Sequence, residues 1–202
     1  MVVAPFNSLI LKNGNLTVGA GLVISNSATL TGTGTIRADF TLQGTLAPGN
    51  SAGALTNFGN LTLQPSAVLQ FELGGTALGS DYDLILVTNG VATLNGLLQV
   101  SFINGFGGDV QHSDTFTLLT ADSLTGLFTN VFSGQRLVTA DAAGTFLVDY
   151  SGNDLVLSDY QAIPEPSACV LCALGLLSLI PASRCRQSVK PVPRGARSSG
   201  LH

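Results

Sequence analysis

A short apolar period constrains this chain more than any other feature. Aliphatic residues recur near Leu9-Leu11, Leu16-Val18, Leu22-Ile24, Leu30, Ile36 and Leu42, at an interval of about six. Every third element returns after about twenty residues: Ile10 to Leu30, Leu16 to Ile36, Leu22 to Leu42. Three short strands per turn of that length is the pattern of a parallel β-solenoid. Glycine and asparagine fall where the corners belong, at Asn13-Gly14, Gly19, Gly21, Asn26, Gly32, Gly34 and Gly44. Both residues tolerate the left-handed backbone that sharp corners need.

The competing arrangement is a sandwich of β-hairpins, since Asn89-Gly90 and Asn95-Gly96 are favourable type I′ turn dipeptides. The segment between them, Val91 to Leu94, is short for a hairpin arm and normal for one side of a solenoid. Further on, Phe146–Tyr150 and Leu155–Leu157 flank Ser151-Gly152-Asn153-Asp154 and predict a true antiparallel hairpin. Such a hairpin would cap the last solenoid edge, which otherwise invites pairing with other chains.

Composition supports strands over helices. Charged residues make up only 10 % of the 202, Trp is absent and Gly reaches 24, where about 25 % charged is typical. The charge is divided. Residues 1–160 hold Lys12, Arg37 and Arg136 against eleven acids, and residues 161–202 hold five basic residues against Glu165. An acidic body with three scattered cations offers no nucleic-acid surface. All three cysteines, Cys169, Cys172 and Cys185, lie in the tail, so no disulfide framework holds the body. Cys169 and Cys172 sit in an apolar run with no His nearby and read as small apolar residues, with lipidation as the alternative.

The tail has its own logic. Ile163-Pro164-Glu165-Pro166-Ser167 precedes an uncharged apolar run and then Arg184-Cys185-Arg186. Two prolines hold their neighbours extended and stop any helix, a shape suited to a protease cleft. Ala168 to Ala182 would rise ~22 Å as a helix, short of a hydrocarbon core of roughly 30 Å. The positive flank marks the cytoplasmic side. This order of motif, apolar run and basic stop resembles the tail of PEP-CTERM proteins. The resemblance implies sorting by an exosortase-like membrane protease that reads Pro164, Glu165, Pro166 and Ser167, with Arg184 and Arg186 as the membrane stop. It also implies an exopolysaccharide or biofilm context. Here the chain continues to His202, beyond the usual end of such tails.

In the body, Gly44-Thr45-Leu46-Ala47-Pro48-Gly49-Asn50-Ser51-Ala52-Gly53 resembles the G-x-L-x-P-G-x-S-x-G signature of autotransporter-associated β-strand repeats. The stretches Asp81–Val87, Leu94–Val100, Phe116–Leu119 and Gly126–Phe128 agree with the same passenger domains. That resemblance implies a right-handed parallel β-helix displayed on a bacterial surface.

Candidate chemistry is sparse. His112 has Asp109, Ser113 and Asp114 beside it in sequence, but triads are assembled in space and adjacency argues for none. Asp81 and Asp83 alternate along the start of a strand and would share a face, as weak candidates for Ca²⁺ or for glycoside chemistry. Whether Glu72 and Asp109 join them is for folding to decide. Gly105–Gly108 lacks the Lys and helix of a phosphate loop. Asn15-Leu16-Thr17 and Asn60-Leu61-Thr62 match a glycosylation acceptor and read as coincidences of the strand repeat.

The expectation is therefore a mainly β protein in four parts. Residues 1–160 form a right-handed β-solenoid with an antiparallel cap, 161–167 the sorting motif, 168–183 one short transmembrane helix and 184–202 a basic, disordered tail. No catalysis, cofactor or nucleic-acid partner is expected. The chain would pass through the membrane to the cell surface or matrix. Met1–Phe6 carries no positive region and no signal-length apolar run precedes Lys12, so the N-terminus is expected to be incomplete. The alternatives are an adhesin fragment and a carbohydrate-active β-helix enzyme.

Overall fold

A computed structural model describes residues 2–3 and 8–164. The chain enters through β1 (Val2–Val3), β2 (Ser8–Thr17) and β3 (Leu22–Ile24). It continues as β4 (Thr29–Arg37), β5 (Phe40–Leu42), β6 (Thr45–Pro48), β7 (Ala54–Phe58), β8 (Leu61–Leu63) and β9 (Val68–Leu73). The long strands β10 (Leu84–Leu94) and β12 (Phe116–Gly126) flank β11 (Leu97–Phe102). Then come β13 (Arg136–Val138), β14 (Gly144–Ser151) and β15 (Asp154–Ala162). The protein is mainly β, and no α-helix occurs among the described residues. The strands belong to one sheet that curls nearly closed, like a barrel, around an apolar interior.

Among β1 to β12 the strands pair with one another in parallel, and the pairings run in three columns. One passes from β1 through β3, β5 and β8 into the second half of β10. A second passes from β2 through β4 and β7 into the first half of β10 and on to β12. The third joins the start of β4 to β6, β9 and β11. Leu16 lies opposite Ile36, as the twenty-residue repeat predicts. Two of the expected partners are corrected: Leu30 pairs with Leu9 rather than Ile10, and Leu42 with Ile24 rather than Leu22. Corners of unequal length shift the register of each side separately.

These pairings also exclude a hairpin at either Asn-Gly site. Asn89-Gly90 sits inside β10 as a local register shift, with Asn89 at φ 56°. Asn95-Gly96 turns the chain from β10 into β11, and those two strands do not pair with each other. At this corner the carbonyls of Ala28, Gly44 and Ala67 accept from the N–H groups of Thr45, Val68 and Leu97. A Cβ on Gly96 would lie 2.2 Å from the Ala67 carbonyl oxygen, and φ there is +72°. Successive corners stack too closely for a side chain, which is why small residues recur at them.

Alternation decides what the sheet encloses. Val68–Leu73 buries Leu69, Phe71 and Leu73 and turns Gln70 outward. Leu22, Ile24, Leu42, Leu46, Leu61 and Leu98 are buried by the same rule. Full burial of one such side chain contributes about 1.5–3 kcal/mol.

Beyond Gly126 the architecture changes. The predicted hairpin is present, with β14 antiparallel to β15 through Asp149↔Val156 and Tyr150↔Leu155. β15 also runs antiparallel to β12, on the opposite edge from β10. Five rings, Phe102, Phe106, Phe116, Phe146 and Tyr160, meet here at centroid distances of 5.0 to 6.1 Å, mostly edge-to-face. The compact unit runs to Ile163, slightly past the expected boundary at 160. No helix among the described residues is long and apolar enough to cross a membrane, and the apolar run 168–183 lies outside them.

Candidate functional site: a polar groove over a buried carboxylate

The signature loop is built around one aspartate. Pro48 ends β6, and Gly49 at φ +89° turns the chain away from the sheet. Gly49 and Gly32 exchange backbone hydrogen bonds of 2.8 and 2.9 Å. The Gly53 N–H then donates to Asp83 Oδ1 at 2.8 Å, and the Glu72 N–H to Asp83 Oδ2 at 2.8 Å. A Cβ on Gly49 would stand 2.8 Å from that same Oδ1, and one on Gly53 would strike Thr33 at 2.5 Å. The glycines of the signature are therefore the places where the loop closes on Asp83 and on the neighbouring strand. Asp83 is fully buried, and burial pushes its carboxyl up to about 7 against the pull of its two backbone donors.

This corrects the expectation for Asp81 and Asp83. They do not share a strand face: Asp81 ends a turn and is exposed, Tyr82 forms only isolated bridges, and Asp83 is buried just ahead of the strand that begins at Leu84. The exposed Asp81 closes the turn before it, accepting from the Ala77 N–H at 3.2 Å and the Ser80 hydroxyl at 3.2 Å. Asp83 points inward and spends both oxygens on backbone donors. Among the described residues no group of three or more His, Cys, Asp or Glu side chains is placed to hold a metal ion.

Outside the loop lies a groove of about 330 Å³. Asn50 and Ser51 form one wall, and side chains of β4, β6, β9 and β11 form the floor: Thr31, Gln70, Glu72, Gln99 and Ser101, with the small apolar Ala47 of β6 between Thr31 and Gln70. Gln70 stands opposite Gln99 and Glu72 opposite Ser101 in register. The Gln70 amide donates to Gln99 Oε1 at 2.9 Å. Ser51, at φ 137°, holds a backbone conformation that costs a non-glycine residue about 1–3 kcal/mol, strain of the kind that gathers at functional sites. Among the described residues, Glu72 is the only carboxylate in the groove and no basic residue lines it. The sequence reading passed over Gln70 and Gln99. Their alternation in Val68–Leu73 and Leu97–Phe102 marks them as outward, but only pairing of strands far apart in the chain makes them neighbours.

His112 is placed away from its sequence neighbours. Its Nδ1 lies 2.8 Å from the Asp159 carboxylate, which Arg136 also holds at 2.6 Å. The Arg136 hydrogen bond and the nearby His112 keep the Asp159 carboxyl below the usual range. Asp114 instead accepts from the Gln111 N–H at 2.9 Å. The histidine thus braces the last strand.

Of the sorting residues, Pro164 is exposed, while Glu165, Pro166, Ser167, Arg184 and Arg186 lie outside the described residues. Among the described residues, the body's last backbone hydrogen bond is the Ile163 N–H donating to the Ala143 carbonyl at 2.9 Å. Comparison with protein-family models, curated proteins and solved structures finds no match for this chain.

Proposed function

We propose that this is an exported, non-catalytic surface or extracellular-matrix protein whose C-terminal motif is read by an exosortase-like membrane protease. The observation that carries the reading is the order of the tail: Ile163-Pro164-Glu165-Pro166-Ser167, an uncharged apolar run, then Arg184 and Arg186. The motif follows directly on the last body residue held by a backbone hydrogen bond, Ile163. An extended peptide there would be accessible to a membrane-bound enzyme without unfolding of the body. The run 168–183 serves as the membrane segment, and processing releases the body.

The body is read as a right-handed parallel β-helix with an antiparallel cap. The three parallel columns, each rung adding one strand to each, favour that description. A structural role in an exopolysaccharide matrix follows from the resemblance of the tail.

The test is the intact mass and C-terminal peptide of protein recovered outside its native cells. A product ending near residues 164–167 is expected. Replacing Pro164 and Pro166 with Ala should leave full-length chain in the membrane, and unchanged processing of that variant would sink the sorting reading.

A further inference from the structure

We infer that the groove over β4, β6, β9 and β11 binds a neutral, hydroxyl-rich polysaccharide chain, and binds it without cleaving it. The inference deepens the matrix role proposed above and rests on that reading for its biological setting.

The chemistry of the lining selects the ligand. The Gln70–Gln99 pair leaves Gln70 Oε1 and Gln99 Nε2 with no protein partner, one acceptor and one donor side by side. Thr31, Ser51 and Ser101 add hydroxyls at the same surface. A sugar hydroxyl both donates and accepts, so a line of amides and hydroxyls matches a line of them. The floor is also periodic, because paired strands are ~4.8 Å apart, close to the advance of one sugar ring along an extended glycan. Each strand crossed can therefore meet one residue of the polymer.

Other occupants fit less well. An acidic polysaccharide would face Glu72 with no cation in the groove and a net negative body around it. A peptide strand would need a free backbone edge, and this floor presents side chains of paired strands. No exposed aromatic ring lines the groove, since Phe71 is buried, so each site binds weakly and a polymer gains by engaging many copies.

The shape is held from behind. Asp83 ties the wall at Gly53 to the floor at Glu72, and Ala140 closes the far end by donating to the Val100 carbonyl at 2.7 Å. The groove is thus formed before any ligand arrives, which lowers the cost of binding.

The experiment is affinity electrophoresis of the full-length chain in non-ionic detergent. The gels contain hydroxyethyl cellulose, laminarin or mannan as neutral probes, and alginate or polygalacturonate as acidic ones. We expect at least one neutral polymer to retard the protein and the acidic ones to leave it unretarded. The double substitution Gln70→Ala with Gln99→Ala should weaken the retardation about tenfold, with the melting temperature unchanged. Glu72→Gln should keep neutral binding and remove the bar to the acidic polymers. The released sugar is assayed in parallel and should be absent. No retardation by any neutral probe, equal retardation of the double variant, retardation by acidic probes alone, or release of sugar would each overturn the inference. The C-terminal mass of protein from its native cells is read separately. Correct processing without glycan binding defeats this inference alone, and glycan binding without processing defeats only the sorting proposal.

Discussion

The parallel part of the molecule and its antiparallel end solve the same burial problem with different residues. Between β2 and β11 the interior is lined mostly by leucine, with Ile24, Ile36, Ile85, Val87 and Val100 among the other aliphatic residues and Phe40, Phe71 and Tyr82 as the buried aromatic ones. From Phe102 to Tyr160 the core adds a cluster of aromatic rings to buried aliphatic residues such as Leu118, Leu119, Val148, Leu155 and Leu157. A stacked strand buries its side chains above and below like neighbours, so medium-sized aliphatic residues repeat without conflict. The end of the stack has no next layer, and large rings fill what a further turn of leucines would have filled. The lesson is that repetition favours a uniform residue, whereas termination needs a large and irregular one.

The largest loss of stability is expected at the antiparallel end. Phe146→Ala removes a fully buried ring that touches Phe102, Phe116 and Tyr160. We expect a loss of about 3–5 kcal/mol in denaturant unfolding. A loss under about 1 kcal/mol would show that the rings are not the plug described.

Next in size is the corner column. Gly96→Ala places a Cβ 2.2 Å from the Ala67 carbonyl at φ +72°, and should cost about 3 kcal/mol. The same change at Gly134, in the antiparallel region, meets nothing within 4 Å although φ is +78°. It should cost only about 1 kcal/mol. This last is the smallest effect predicted, and equal costs at the two sites would remove stacking as the reason for glycine at the corners.

Between these lies the buried carboxylate. The folded-state value of Asp83 is raised to about 7 from an ordinary 3.8. The folded protein therefore holds a proton that the unfolded chain releases, and stability falls as pH rises from about 4 through about 7. Asp83→Asn places an amide N–H₂ against one of two backbone donors. It should cost about 1–3 kcal/mol at low pH and flatten the decline of stability across that window. Melting curves between pH 4 and 8 decide this, and a wild-type protein whose stability rises over the window would refute it. Ionisation of Asp83 should loosen the loop at Gly53, and hydrogen exchange of that amide gives an independent reading.

Much of this was legible in the chain. Leu16 and Ile36 do pair, and the Phe146–Leu157 hairpin stands where its turn residues placed it. The signature glycines at 49 and 53 proved to be sites of close approach. The Asp81 and Asp83 expectation failed because two-residue alternation was extended ahead of the strand, which begins only at Leu84. The partner of His112, Asp159, was not legible at all, because it lies in a strand far along the chain.

The sequence by itself determined the period, the places that bend and the residues that face inward, since these follow from backbone sterics and alternation within a few residues. The tertiary structure alone decided which turns of the chain lie side by side. Corners and insertions of unequal length, such as Gly74–Asp81 and Asn104–Thr115, set the register of each column, and no local rule encodes a sum of loop lengths. Gln70 thereby meets Gln99, Asp83 meets Gly53, and the groove comes into being.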